Sequence, residues 1–264
     1  KVDAHAVIPE DFVSKNVRVL ETGEYICGGQ RPNIIDKPTP FKETLLLAES
    51  SMFGSSIASY RNNPGKTYVK SLFHAAYRRE VFEKVGFFNE ELVRTEDNEI
   101  HYRMRKAGYK LCFDPDIISY QYTRSSLKAM LKQKYANGYW IGKTSKVCPK
   151  CLSIYHFVPF AFVSAIIASG SVIGATGLAE CIKKRHNHTL GKGISALRKV
   201  TVVLTTVMWV LYALMASGMA AVSAFKAEDK RNITNACLPV LFLLLHLSYG
   251  IGTIAGLMDK SKRG

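Results

Sequence analysis

Hydrophobic and charged positions divide these 264 residues into two unlike parts. Three stretches of the second part, Leu152–Ala179, Val200–Phe225 and Ile233–Met258, contain no Asp, Glu, Lys or Arg, and each runs for 26 residues or more. About 20 residues at ~1.5 Å rise cross a hydrocarbon core, so each stretch is long enough for a transmembrane helix. A buried helix of a soluble domain rarely stays uncharged on every face for so long. Each stretch also carries small residues at helix-pairing spacing: Gly170 and Gly174, Ala216 and Ala220, Gly252 and Gly256. Such pairs let backbones approach closely in lipid. Pro159 and the glycines late in the first stretch leave that one open to being broken, re-entrant or partly interfacial.

The first part alternates in type. Val17–Leu20 and Tyr25–Cys27 read as short strands, with turn residues between them and Gly28-Gly29 after them. Pro32–Pro40 reads as a loop, Glu43–Ser59 as a helix and Asn62-Asn63-Pro64-Gly65 as a turn. A strand around Tyr68–Phe73 leads into a short helix, Tyr77–Val85, stopped by Gly86. Glu96–Ala107 predicts a helix with Ile100, Met104 and Ala107 on one face and Gly108 as its stop. Leu111–Phe113 follows as a strand ended by Pro115. Strands alternating with helices predict a mixed α/β layer. In Ser125–Gly142, Leu127, Met130, Leu131, Tyr135 and Trp140 fall near one face, with Lys128, Lys132 and Lys134 elsewhere. That pattern fits equally a helix lying on a membrane surface and an ordinary amphipathic packing helix. The expected organisation is therefore residues 1–124, an amphipathic segment 125–150, and membrane helices within 151–264.

Composition adjusts this picture little. Lys and Arg number 36 against 21 Asp and Glu, a formal charge of +15. Many basic residues flank the first apolar stretch, from Lys128 to Lys150 before it and from Lys183 to Lys199 after it. Anionic lipid headgroups account for this excess, and no nucleic-acid partner is expected. With both flanks basic, charge does not choose a side for the first span. Disordered, collagen-like and small disulfide-scaffold classes are excluded. Cys148-Pro149-Lys150-Cys151 could bind metal, take a lipid or do redox chemistry; a structural zinc site needs a second ligand pair, none is nearby in sequence, and His186 and His188 are the candidate partners. The chain opens Lys1-Val2-Asp3, without an initiator Met or a signal-peptide pattern.

Two clusters carry candidate chemistry. Thr95-Glu96-Asp97 sets two carboxylates at the amino end of a helix, where the backbone dipole favours their charged form. An ionised carboxylate there could take a proton from a hydroxyl, although acidic residues also serve simply as helix-end complements. Asp3-Ala4-His5 offers two potential ligands for a hard cation, or alternatively a solvated Asp and His.

VDAHAVIPEDFV at Val2–Val13, AAYRREVFEKVGFFNEELVRTEDNEIHYRMRKAGYKL at Ala75–Leu111, LKQKYANGYW at Leu131–Trp140 and HLSYGIGTIAGL at His246–Leu257 give a further indication. In this order they resemble the glycosyltransferase family 2 enzymes, particularly the membrane-bound succinoglycan-biosynthesis type. The resemblance implies an α/β fold, with a partial GT-A catalytic domain (a Rossmann-like mixed sheet) in 1–124 and an α-helical transmembrane region behind it. It implies transfer of a sugar, with inversion, from a nucleotide-diphosphate donor to a lipid-linked or polysaccharide acceptor in surface or exopolysaccharide synthesis. Asp3 and His5 match the element that binds a divalent cation, Mg²⁺ or Mn²⁺, and the donor diphosphate. His stands where the family has a second Asp, and imidazole suits Mn²⁺ better. Asp97 matches the catalytic base, and Glu96 lies beside it in the acceptor site. Gln133 and Trp140 resemble a loosened form of the QxxRW element of processive synthases. The Arg is absent and the spacing differs, which favours addition of one sugar per turn.

The family's strand–helix–strand region for the nucleoside normally precedes the cation-binding element. The expectation is that these residues belong to a longer protein and that the isolated 264-residue polypeptide binds nucleotide sugar poorly. A multi-pass cell-membrane protein with its catalytic part on the cytoplasmic side, where nucleotide sugars are made, follows from the same resemblance. The contrasting possibility is a non-catalytic membrane scaffold or glycan-export subunit.

Overall fold

In the computed structural model, residues 1–3, 6–54, 65–185, 191–227 and 232–260 are described. Seven strands occur among them: β1 (Ala6–Val7), β2 (Ile26–Gln30), β3 (Asn33–Ile34), β4 (Thr67–Val69), β5 (Ala75–Tyr77), β6 (Leu111–Ile118) and β7 (Tyr120–Tyr122). The helices of this part are α1 (Phe12–Glu21), α2 (Pro40–Ser50), α3 (Arg79–Val85) and α4 (Glu96–Lys106). One sheet has the order β4-β6-β2-β5 and a smaller one the order β1-β7-β3. β2 and β6 run parallel, and the outer strands pair antiparallel to them.

Side chains of successive strand residues point to opposite faces, and the main sheet uses both. Ile26, Leu111 and Phe113 meet Val81 of α3 and Ile100 and Met104 of α4 on one face. Cys27 and Cys112 meet Phe12 and Val19 of α1 on the other. The mixed α/β layer expected from the pattern is therefore present, with helices on both faces.

Two local readings are corrected. Val17–Leu20 is not a strand but the second half of α1. Phe12, Asn16 and Val19 are buried while Val13 and Val17 are exposed, a helical spacing that outweighs the β-branched composition. Pro115 does not end its strand, because β6 continues to Ile118. The ladder to β2 shifts register between Gly28 and Gln30, so Pro115 falls in a bulge. A Cβ on Gly29 would collide with the carbonyls of Ile117 and Asp114, so glycine lets the bulged strand close up. The expected helix Glu43–Ser59 is α2, starting at Pro40 behind the Thr39 cap; residues 55–59 of that reading lie outside the described residues.

The second part contains α5 (Leu127–Val147), α6 (Val158–Arg185), α7 (Lys192–Lys226) and α8 (Leu238–Met258). Among the described residues three helices are long and apolar enough to cross a membrane: Ile154–Lys184, Lys192–Lys226 and Ile233–Met258, the first and third including a short 3₁₀ entry. α6 is continuous, with Pro159 in its first turn, where a missing N–H costs nothing. α8 is the most enclosed, with 39% of its apolar window buried against 6% for each of the other two.

The partner of α8 is α5. Cβ atoms added at Gly138 or Gly142 would strike the α8 backbone at Tyr249 or Thr253, and at Gly252 or Gly256 the α5 backbone at Tyr135 or Tyr139. Gly252 and Gly256 thus serve the close approach that their spacing predicts, against α5 rather than another apolar stretch. Gly170 and Gly174 face open space. Ala216 and Ala220 are buried in a cluster with Met130 of α5, Leu241, Phe242 and Leu245 of α8, and Leu45 and Ala48 of α2. α2 thereby ties the α/β layer to the helical part.

Candidate active site

The parallel strands β2 and β6 end together at Gln30 and Ile118. Open α/β sheets bind ligands beyond the carboxyl ends of their parallel strands. Four segments meet here: residues 1–3, the turn into β5, the step from β6 to β7, and the entry to α4.

Glu96 and Asp97 are the first two residues of α4. Thr95, at the N-cap, makes no side-chain cap, because its hydroxyl is hydrogen-bonded to that of Thr144 on α5. Glu96, Asp97 and Glu99 supply negative charge to the first turn instead. The helix is held from behind by Arg103, which binds Glu99 and donates to the carbonyls of Val85 and Phe87. Beneath it the buried His101 joins Tyr77 Oη at 2.8 Å to Ser71 Oγ at 3.1 Å.

The Lys1 ammonium bridges the two carboxylates, 2.9 Å from Glu96 Oε1 and 2.5 Å from Asp97 Oδ1. Burial opposes its charge, yet Asp97 and Glu96 together hold its pKa above the usual lysine range. Asp97 is pushed up to about 6 by burial; Lys1 opposes the rise, and the charges of Glu96 and Asp3 add to it. The Lys1 ammonium and the Asp97 carboxylate thus face each other in one site, and Asp3 lies two residues along the chain from Lys1. The backbone places them there: Lys1 pairs with Ala75, N–H to O at 2.7 Å and O to N–H at 3.3 Å, extending the sheet past β5.

This pairing sets Asp3 beside His74, with Asp3 Oδ2 3.9 Å from His74 Nε2. His74 is buried, its Nδ1 is 2.7 Å from Ser119 Oγ, and burial lowers its pKa to about 4. Asp3 opposes that fall, and Arg31 and Lys1 reinforce it. Arg31 directly follows β2, with its buried guanidinium stacked 3.9 Å from the Phe73 ring centroid. The site thus combines the Glu96–Asp97 pair and the single carboxylate of Asp3 with the positive charges of Lys1 and Arg31.

His5 lies outside the described residues. Among the described residues no three His, Cys, Asp or Glu converge on one metal position. Cys148 and Cys151 are free, and burial together with the neighbouring Cys148 raises the Cys151 pKa. His186 and His188 are outside the described residues.

Gln133 and Trp140 share one stripe of α5 with Asn137 and Thr144 by helical spacing. Asn137 Oδ1 accepts from Arg94 Nη1 at 3.1 Å, and Thr144 meets Thr95, so the stripe borders the loop that enters α4. Trp140 is buried about one turn from Thr144, whereas Gln133 sits ~16 Å along the axis from it. The sequence reading did not include Lys1, Arg31, His74, Ser119 or Thr144. His74 immediately precedes the quoted stretch beginning at Ala75, which was its one signal.

An α/β layer with its acidic cluster near the ends of parallel strands is joined here to three helices of membrane-spanning length. The glycosyl transferase family group 2 model matches residues 2–253, and the chain belongs to that family. Its mixed sheets and their helices are the glycosyltransferase domain, as expected, with the three long apolar helices behind it. The chain is 26% identical over 141 residues to the succinoglycan biosynthesis protein ExoA of Rhizobium meliloti, covering 52% of this chain and 42% of that protein. It is 24% identical over 172 residues to a dolichyl N-acetyl-alpha-D-glucosaminyl phosphate 3-beta-D-2,3-diacetamido-2,3-dideoxy-beta-D-glucuronosyltransferase of Methanococcus voltae, covering 62% and 52%. With the O-antigen chain rhamnosyltransferase WbaN of Salmonella anatum it shares 32% over 102 residues, covering 39% and 30%. The chain spans about half or less of the length of these relatives.

Proposed function

We propose that this protein is a membrane-bound inverting glycosyltransferase that moves a sugar from a nucleotide-diphosphate donor to a lipid-linked or polysaccharide acceptor. The observation carrying this reading is that the Glu96–Asp97 carboxylates at the start of α4 are bridged by Lys1, two residues from the Asp3 that faces His74, beside the carboxyl ends of β2 and β6. Residues 1–124 are the transferase part, with 125–150 coupling it to the membrane helices of 151–264. The catalytic face lies on the cytoplasmic side.

Asp97 accepts the proton of an acceptor hydroxyl as its oxygen attacks the anomeric carbon, opposite the departing diphosphate. With its pKa at about 6, the carboxylate is mostly ionised at neutral pH yet basic enough to take a proton. Glu96, beside it, orients the acceptor. Arg31 and Lys1 give the site positive charge that complements a diphosphate. Asp3 would hold the divalent cation that the family implies, and the cation would neutralise charge on the leaving diphosphate. The carboxylate and the lone-pair nitrogen facing it suit such an ion. The stripe of Gln133 and Trp140 lines the approach from the membrane side, and one sugar is added per turn.

Asp97→Asn, made in the protein expressed from its own gene, tests this. Transfer from a panel of UDP-, GDP- and dTDP-sugars to membrane lipid extract should fall by ~10²–10⁴-fold with folding unchanged. Retained transfer removes Asp97 as the base; glycan assembly that persists in cells carrying the variant favours a scaffold.

A further inference from the structure

His74 has a polar atom that its surroundings do not satisfy. The residue is 3% exposed, and its Nε2 has no hydrogen-bond partner among the described residues. Buried polar atoms of folded proteins are nearly always paired, so an orphan marks a place where something belongs. The other side of the ring is fixed. Ser119 Oγ lies 2.7 Å from His74 Nδ1 and 3.4 Å from the Gln30 carbonyl, so the Nδ1–H tautomer lets the serine accept from the ring while donating to Gln30. With the proton on Nδ1, Nε2 presents a lone pair toward the Asp3 carboxylate.

Two acceptor atoms so placed repel unless an electrophile lies between them. Their separation of 3.9 Å exceeds hydrogen-bond reach. It is below the ~4.2 Å sum of two ligand bonds of ~2.1 Å each to a divalent ion. A histidine whose far nitrogen is tied to a neighbouring oxygen is also how proteins orient a metal-binding imidazole.

We infer that His74 Nε2 is a ligand of the same divalent cation as Asp3, held in place by Ser119. This rests on the reading of Asp3 as a cation ligand and adds a nitrogen from a distant part of the chain. The remaining positions are left for water and the donor's phosphate oxygens. One imidazole in the set favours Mn²⁺ over Mg²⁺.

The test is Mn²⁺ binding by the full-length protein in detergent, without any sugar donor. Titration followed by electron paramagnetic resonance gives affinity, and pulsed measurements with ¹⁵N-histidine labelling report nitrogen bound to manganese. His74→Gln should weaken Mn²⁺ at least tenfold and remove a nitrogen coupling. Ser119→Ala should weaken it less and leave the coupling. Asp97→Asn should keep the nitrogen coupling while abolishing transfer, so failure of the base assignment and failure of the ligand assignment give different results. Because His74→Gln could perturb the buried site, His74→Asn is measured alongside, and circular dichroism reports the fold of each. Unchanged affinity and nitrogen coupling in folded variants, or no Mn²⁺ bound by the wild-type protein, would overturn the inference. A water molecule would then be the group between the two side chains.

Discussion

The acidic limb of the pH–rate profile belongs to Asp97 and should move when Lys1 loses its charge. A base must be deprotonated to act, so activity falls as pH drops through its folded pKa. With a value of about 6, ~90% of Asp97 is ionised at pH 7 and ~9% at pH 5, a roughly tenfold loss of rate. The Lys1 ammonium lies 2.5 Å from Oδ1, with side-chain exposures of 20% and 18% for the pair, so water screens it incompletely. Opposite charges this close lower a carboxylate pKa by about 1–3 units. Lys1→Met should therefore raise the limb by about that amount, putting pH 7 on the falling side and restoring activity only toward pH 8–9. The assay is initial sugar transfer from pH 5 to 9 at one saturating Mn²⁺ concentration and fixed ionic strength, comparing the wild-type protein with Lys1→Met. A limb that stays in place in the variant refutes the electrostatic coupling, and full transfer by Asp97→Asn refutes the assignment of the base.

Gly252→Val places a side chain on the Tyr135 carbonyl and should destabilise the helical part by about 1–3 kcal/mol, read as a lower Tm in detergent. Gly170→Val, where nothing lies within 4 Å, should leave Tm nearly unchanged; equal effects would dispute the α5–α8 contact. Glu49 and Lys134 form a buried ion pair at 3.5 Å, so Glu49→Ala leaves a buried ammonium and should cost about 3–5 kcal/mol in chemical denaturation. The apolar double variant Glu49→Leu/Lys134→Met should recover most of that loss.

Where one face of an element is buried and the other is not, its type was legible in the sequence. The three apolar stretches appear as three long helices, and α4 begins at Glu96 and stops before Gly108 as its cap residues require. α1 misled because Val17, Val19 and Leu20 have strand-like chemistry, whereas burial of Phe12, Asn16 and Val19 follows a helical spacing that depends on β2 and β6 lying beneath. Pro115 misled because a bulge against Gly29, itself a tertiary contact, spares it from ladder pairing. The spacing put Lys134 off the apolar face of α5, yet it is buried against Glu49.

The sequence by itself determined the division into an α/β layer and membrane-length helices, and it singled out the acidic pairs. Periodicity, helix-end residues and unbroken apolarity are local, and they act on the chain wherever it lies. Only the tertiary structure decided that Lys1 pairs with Ala75 and so carries Asp3 to His74. It alone brought Thr144 to Thr95 and set α5 against α8 rather than leaving it free on a surface. Those contacts join residues dozens of positions apart, and their energies come from packing and paired burial, which no local pattern records.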